Sequence, residues 1–142
     1  MARPDPSLLE PARYPFACDI TTRFADMDLN QHLNNVAIAA LIEDTRVRFN
    51  AAAGIREALG GLGAMNVSLA IDYLAQAYYP QAVRGLAAVE ALGRSSWTVV
   101  QLLLQSGEPV AFSRSVLVCV DRGAPAPLPE ALRTGQAAMM LR

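Results

Sequence analysis

The alternation of apolar and polar residues predicts which segments of the chain form strands. Residues 65–73 alternate for nine positions, which is the period of a β-strand with one buried face. The stretch "QSGEP" at 105–109 contains the residues that typically form a turn between two strands. Further strands are predicted over residues 18–24, 82–93, 95–106 and 109–121.

Residues 35–53 contain no Gly or Pro and are rich in Ala, which favours a helix that ends at Gly54. At about 100° per residue, this helix carries apolar side chains on two nearly opposite sides. The two stripes consist of Ile38, Ile42, Thr45 and Phe49 on one side and of Val36, Ala40 and Val47 on the other. A surface helix has one apolar stripe, so two stripes predict a helix that is covered around most of its circumference.

The predicted order is one strand, a polar loop, one long helix and then four strands. Because these strands do not alternate with helices, we predict an α+β fold in which an antiparallel sheet carries the helix on one face. A strongly twisted sheet would curl round the helix and touch both of its apolar stripes. We expect a proline-rich N-terminal arm at 1–15, a single domain at 16–122 and a C-terminal tail with a short helix at 123–142.

The composition narrows the possible partners. The 142 residues fit a single domain that buries about 70% of its unfolded surface. A formal net charge of −1 and the absence of Lys- or Arg-rich runs argue against binding to nucleic acid or to an anionic membrane. Cys18 and Cys119 lie in apolar stretches, and the prolines and acids at the start are not typical of a signal peptide. We therefore expect a cytoplasmic protein with reduced cysteines and no membrane span.

The segment "DMDLNQHLNN" at 26–35 is the densest group of polar side chains in the sequence. Its first five residues match the start of a calcium-binding loop, but Gln31 stands in place of the required Gly and Ala37 in place of the bidentate Glu. One His and two distant Cys do not form a zinc or iron cluster of known spacing. We therefore expect no metal and no cofactor.

Two interpretations of this segment remain. In the structural one, Asn34 caps the helix, and Asp26 or Asp28 interacts with the helix dipole. In the catalytic one, Asp28, Asn30 and His32 alternate along an extended backbone and point the same way. The free N–H groups of the following helix would hold an oxyanion while the carboxylate activates water or attacks a carbonyl itself. The number of polar groups exceeds what capping requires and favours the catalytic interpretation.

Four stretches resemble hotdog-fold thioesterases of the 4-hydroxybenzoyl-CoA thioesterase family, over roughly residues 17–122. They are "RFADMDLNQHLNNVAIAALIEDTRVRF", "AIDYLAQAYYPQAV", "EALGRSSWTVVQLLL" and "AFSRSVLVCVD". The part "DLNQH" is also similar to the active segment of plant acyl-ACP thioesterases. The resemblance implies a hotdog fold, in which an antiparallel sheet wraps around one long central helix.

The resemblance also implies roles for individual residues. Asp28 matches the family's catalytic carboxylate, and Asn30 and His32 match the residues that accompany it in the plant enzymes. The backbone N–H near Asn35 matches the oxyanion donor, and Glu43 matches an acidic helix position that faces the site in some members. The positions that match contacts to the CoA phosphates are Arg94, Ser95 and Ser96.

Three positions depart from the family pattern. Gln31 replaces a common Gly, as it does in the plant enzymes, and Ile38 stands where a Tyr is usual. Gln76 occupies the place of a Glu that is implicated in the plant enzymes.

From the resemblance we expect hydrolysis of an acyl thioester to free acid and thiol, with Asp28 as general base or as nucleophile. The expected substrate is a fatty or aromatic acyl-CoA, with an acylated carrier protein as the alternative. The resemblance also implies a homodimer with its sites at the interface, and we expect a homotetramer. Two other functions stay open, a hotdog 2-enoyl-CoA hydratase or dehydratase and a non-catalytic acyl-CoA-binding module.

Overall fold

A computed structural model of the chain describes residues 3–142 as one curved sheet with a long helix on its inner face. The strands are β1 (Phe16–Ile20), β2 (Gly63–Tyr73), β3 (Val83–Leu92), β4 (Ser96–Gln105), β5 (Glu108–Asp121) and β6 (Ala124–Pro125), and the helices are α1 (Asn35–Ala52), α2 (Ile55–Leu59) and α3 (Glu130–Ala137). The strands are antiparallel in the order β1-β3-β4-β5-β2, and β6 pairs with the end of β5. The predicted α+β hotdog fold is therefore confirmed.

The long elements agree with the sequence pattern, and the short ones differ. The helix predicted over 35–53 is α1, and β2 to β5 begin and end within about two residues of their predicted bounds. The first strand was predicted to extend to residue 24, which is wrong, because β1 ends at Ile20 and a single 3₁₀ turn forms at Phe24–Asp26. The carboxylate of Asp26 accepts hydrogen bonds from the backbone and side chain of Arg23, which bends the chain into this turn.

Helix α1 begins and ends at residues suited to these positions. The side chain of Asn34 accepts a hydrogen bond from the backbone N–H of Ala37 at 2.7 Å, which caps the first turn. Gly54 follows the last turn with a φ of 66°, a left-handed conformation that glycine adopts without strain. In its middle, α1 lies so close to β3 that a Cβ atom at Gly85 would collide with the side chain of Thr45. The helix therefore packs directly onto the centre of the sheet.

The inner core divides into two clusters along α1. Ile38 packs with Leu103 and other apolar side chains near the start of the helix. Phe49 packs with Trp97 near the end of the helix, where Leu132 of α3 closes the cluster. The two halves of the helix therefore rest on separate sets of side chains.

The sheet covers only one of the two apolar stripes of α1. Ile38, Ile42, Thr45 and Phe49 are buried, as expected, whereas Val36 is 80% and Val47 56% exposed. The prediction that the sheet touches both stripes is therefore wrong for the single chain. The reason is that α1 packs on β1, β3 and β4, while β2 lies at the far edge with most of its residues exposed.

The chain segments before β1 and after α3 pack on the sheet. Leu8 and Tyr14 lie against an apolar cluster on the outer face that includes Leu102 and Phe112. The backbone N–H of Leu141 donates to the carbonyl of Val89 at 2.8 Å, so the last residues continue the β3 edge beyond β1. The arm predicted at 1–15 therefore contacts the domain closely over its described part, and its first two residues lie outside the described residues. None of the helices in the described part of the chain is both long and apolar enough to span a membrane.

Candidate active site

The polar segment that precedes α1 forms a tight loop. The backbone N–H of Asp28 donates to the carbonyl of His32 at 2.9 Å, and the N–H of Gln31 donates to the carbonyl of Asp28 at 3.0 Å. The extended backbone predicted from Asp28 to His32 is therefore wrong, because these local hydrogen bonds close a turn. Gln31 has a φ of 62° in this turn, a left-handed conformation that glycine adopts more readily.

The loop holds the carboxylate of Asp28 by one of its two oxygens. Oδ1 accepts hydrogen bonds from the backbone N–H groups of Asn30 at 2.8 Å and His32 at 3.3 Å. Oδ2 accepts no hydrogen bond from the described residues, and the side chain as a whole is exposed. Asp28 is therefore fixed in position and still has an oxygen available for chemistry.

The neighbouring Asp26 has a different environment. Its side chain is only 6% exposed, and it forms an ion pair with Arg23 at 2.9 Å. Its backbone carbonyl accepts a hydrogen bond from the N–H of Asn34, the residue that caps α1. Asp26 therefore ties the loop to the helix start, and of the two carboxylates in "DMD" only Asp28 faces solvent.

The first turn of α1 lies beside Asp28. The backbone N–H groups of Asn35 and Val36 are at the first two helical positions, where a helix offers no internal acceptor. The free N–H groups and the helix dipole both favour a negative charge at the start of α1. A carbonyl oxygen that gains negative charge here would be stabilised by at least two donors.

Asp28 and the helix start face a common cavity of about 350 Å³, which we call the site cavity. Its polar lining residues are Asp28, Asn30, His32, Asn35, Tyr73 and Gln76. Ile38, which stands where a Tyr was expected, lines its wall. The structure therefore brings together four of the predicted site residues and two of the three positions that depart from the family pattern.

Two tyrosines of the site were not predicted from the sequence. The hydroxyl of Tyr73 donates to the carbonyl of Asn35 at 3.4 Å, so the end of β2 contacts the helix start. The ring of Tyr78 meets the ring of His32 edge to face, with 5.4 Å between the ring centroids. Buried Gln105 fixes Tyr78 by accepting a hydrogen bond from its N–H at 2.8 Å and donating one to its carbonyl at 2.7 Å. Both tyrosines lie in "AIDYLAQAYYPQAV", a stretch that carries part of the resemblance.

The other predicted site residues lie away from Asp28 within the chain. The carboxylate of Glu43 pairs with Arg46, which is buried and also donates to the hydroxyl of Ser115 at 3.3 Å. Glu43 does not line the site cavity. Arg94 and Ser95 lie in the turn between β3 and β4, and Ser96 begins β4. This turn is at the opposite end of β3 from Val83, which packs with Leu33 of the loop. The proposed roles of these four residues stay predictions.

The chain is similar to proteins of one superfamily. The family model described as "thioesterase-like superfamily" matches residues 22–135. A protein of solved structure from Pseudomonas aeruginosa is 30% identical, over 92% of this chain and 95% of its own, with a TM-score of 0.77. A thioesterase from Thermus thermophilus, solved with coenzyme A and zinc, is 29% identical, over 89% of this chain and 95% of its own, with a TM-score of 0.79.

A predicted thioesterase from Bacillus stearothermophilus is 26% identical, over 89% of this chain and 97% of its own, with a TM-score of 0.80. No curated protein sequence matches the chain. The likeness to the three solved structures extends over most of each chain.

Proposed function

The chain belongs to the thioesterase-like superfamily, and from this premise we propose that it hydrolyses an acyl thioester to a free acid and a thiol. The observation that carries the proposal is the position of Asp28, which shares one cavity with Asn35, the first residue of α1. A base and an oxyanion donor in one cavity are the minimum that acyl transfer to water requires.

In the proposed reaction the thioester carbonyl oxygen accepts hydrogen bonds from the N–H groups of Asn35 and Val36. Asp28 acts in one of two ways. As a general base it takes a proton from a water molecule whose oxygen attacks the carbonyl carbon, and as a nucleophile it forms a mixed anhydride that water then hydrolyses. In both routes the C–S bond breaks and the sulfur leaves as a thiolate, which needs no strong acid in the site.

Asn30 and His32 are proposed to orient the attacking water. Both line the site cavity, and the ring of His32 is held against Tyr78. Gln76 is neutral where the plant enzymes are expected to have a Glu, so Asp28 is the one carboxylate among the residues that line this cavity. The proposed reaction therefore depends on a single carboxylate, that of Asp28.

We expect the protein to act as a homodimer. β2 has a free edge, and its exposed apolar side chains, Met65, Val67, Leu69 and Tyr73, lie on the side of the molecule where the second stripe of α1 is also uncovered. A free edge with apolar side chains is a template for pairing, and pairing with a second copy of β2 would cover both surfaces. Tyr73 belongs to the site cavity, so the second copy would close the site. The expected pairing of two dimers into a tetramer stays a prediction.

The proposed substrate is an acyl-CoA, because a relative from Thermus thermophilus has been solved with coenzyme A. The turn that contains Arg94, Ser95 and Ser96 lies at the opposite end of β3 from the loop. In a dimer related by β2 pairing this turn of the second copy would lie at the same end as Asp28. We therefore expect these residues to contact the CoA phosphates of the partner's substrate. An acylated carrier protein is the alternative substrate.

The test of this function is thiol release from acyl-CoAs, followed with a chromogenic disulfide. We expect release by the wild type and a loss of about 10²- to 10⁴-fold in kcat for Asp28→Asn, because a positioned base contributes this much. Asp19→Asn is the matched control, since its side chain is 66% exposed on β1 and lines no described part of the site cavity. Near-wild-type turnover by folded Asp28→Asn would contradict the role of Asp28.

The same assay separates the other functions. Asp28 and His32 line one cavity, which is also the pair that a 2-enoyl-CoA hydratase would use. Formation of a 3-hydroxyacyl-CoA from a 2-enoyl-CoA without thiol release would establish that activity instead. Tight binding of acyl-CoA with no thiol release across a broad panel would identify a non-catalytic binding module.

A further inference from the structure

The segment that follows β2 supports the loop that carries Asp28. The backbone N–H of Leu33 donates to the carbonyl of Ala77 at 2.8 Å, and both residues are buried in the same apolar cluster. Ala77 lines the site cavity, whereas the next residue, Tyr78, does not. An effect of Tyr78 on the reaction would therefore pass through neighbouring side chains.

Tyr78 contacts two polar residues of the site cavity. Its ring lies edge to face with the ring of His32, and the 5.4 Å between the centroids is a distance that aromatic pairs prefer. Its hydroxyl donates to the side-chain oxygen of Gln76 at 3.4 Å. Both His32 and Gln76 line the cavity together with Asp28. The position of Tyr78 therefore affects two of the side chains that surround the reacting groups.

Tyr78 is itself held in place by Gln105, the last residue of β4. Gln105 is only 7% exposed, and its side-chain oxygen accepts a hydrogen bond from the Tyr78 N–H at 2.8 Å. Its amide nitrogen donates to the carbonyls of Tyr78 at 2.7 Å and Gln81 at 3.1 Å. The Gln81 carbonyl also accepts from the hydroxyl of Thr22 at 3.1 Å. One buried side chain therefore fixes the backbone of residues 78–81 to the sheet.

Gln105 uses all of its polar groups, unlike the second buried glutamine of β4. A side-chain amide has one oxygen and two N–H donors, and in Gln105 all three have a partner. Gln101 donates to the carbonyl of Ile42 at 2.7 Å, while its Oε1 accepts no hydrogen bond from the described residues. A fully paired amide makes the segment that it binds rigid, because movement would leave a buried polar group without a partner.

We infer that Gln105 and Tyr78 are positioning residues of the reaction, which act through His32. Gln105 fixes Tyr78, and the Tyr78 ring fixes the orientation of the His32 ring at the site cavity. The inference rests on the proposed function, in which His32 orients the attacking water, and it extends the site to residues that do not line the cavity. Because attack requires an accurately held water molecule, a loosened His32 lowers kcat and leaves substrate binding unchanged.

The first test uses the fact that His32 is the only histidine of the chain. Its ring protons give unique signals in a proton NMR spectrum, and the adjacent Tyr78 ring shifts them away from those of free histidine. We expect Gln105→Met and Tyr78→Leu to move these signals toward those of free histidine. The signals in Gln101→Met should match those of the wild type, because Gln101 contacts α1 and not residues 78–81.

The second test measures thiol release. Tyr78→Leu should lower kcat about 2- to 12-fold, the range that one aromatic contact contributes, and leave KM unchanged, since Tyr78 does not line the cavity. Gln105→Met should lower kcat by a similar factor. Phe24→Leu is the matched control for Tyr78→Leu, since Phe24 is an exposed aromatic residue that meets the ring of Tyr79 and not that of His32.

Gln101→Met separates positioning from stability. Both glutamine variants remove a buried amide from β4 and should lower the free energy of unfolding, which urea denaturation measures. Only Gln105→Met should also lower kcat. Tyr78 is 45% exposed, so Tyr78→Leu decides the inference if Gln105→Met does not fold.

A double-mutant cycle shows whether Tyr78 acts through His32. In a protein with His32→Ala, Tyr78→Leu should change kcat by less than about 2-fold, because the other ring of the contact is absent. Equal factors with and without His32 would overturn the inference, and so would a wild-type kcat in Tyr78→Leu or unchanged His32 signals in that variant. Absence of thiol release by the wild type with every acyl-CoA would instead overturn the proposed function, and with it this role in the reaction, whatever the NMR signals show.

Discussion

The two ends of α1 differ in almost every physical property. The first turn has free backbone N–H groups, an exposed carboxylate and a loop held by its own hydrogen bonds. The last turns have apolar neighbours from α2 and β2 and one buried amide oxygen without a donor. One end therefore favours a negative charge, whereas the other end is mainly apolar. The difference indicates that the candidate site of each chain lies at one end of α1 only.

The largest expected effect comes from Val67→Glu, which should prevent two copies of β2 from pairing. Val67 is 56% exposed on β2, at the irregularity between Asn66 and Ser68, and we expect it to be buried in the dimer. An unpaired charge there should produce a monomer, since burying a charge without a partner is very costly. Loss of the second copy should lower kcat/KM for acyl-CoAs by about 100-fold or more, because Tyr73 of β2 lines the site cavity. Sedimentation and thiol release measure the two effects.

Ala131→Glu introduces the same charge at an exposed position on α3 and is the control for Val67→Glu. A Val67→Glu protein that remains a dimer, or a monomer that retains the wild-type rate with acyl-CoAs, would contradict the proposed dimer.

A smaller effect is expected from the helix cap. Asn34→Ala removes the side chain that accepts from the Ala37 N–H, which should lower the free energy of unfolding by about 1 kcal/mol. It should also lower kcat, because the free N–H groups lie in the turn that this cap fixes. Asn50→Ala at the other end removes a side-chain oxygen that accepts no described hydrogen bond, so urea unfolding should show a smaller loss. Equal losses of unfolding free energy in the two variants would show that the cap at the start of α1 contributes no more to stability than Asn50 does near its end.

The long elements could be predicted from the sequence because their patterns are local. α1 is long and free of Gly and Pro, and β2 alternates over most of its length. α2 could not be predicted in this way, because its five residues between Gly54 and Gly60 are too few for a period. The exposure of Val36 and Val47 also could not be predicted, since it depends on where β2 lies relative to α1 and not on the helix itself.

The candidate site could be predicted in part. The density of polar residues indicated the loop, and the resemblance indicated Asp28 within it. Alternation suggested an extended backbone, but hydrogen bonds between Asp28 and His32 close a turn that a periodic pattern does not reveal. Tyr78 meets His32 across 46 positions of sequence, and Tyr73 contacts Asn35 across 38 positions. Such long-range contacts depend on packing and have no local signal in the sequence.

The close approach of α1 to Gly85 limits how this protein can diverge. Any side chain at Gly85 would push Thr45, and with it the rigid helix, away from the sheet. The same helix carries free N–H groups at its start, beside Asp28, so such a shift would disturb the candidate site. New substrate preferences should therefore arise through changes in the residues that line the site cavity, while the contact between Gly85 and Thr45 is inherited unchanged.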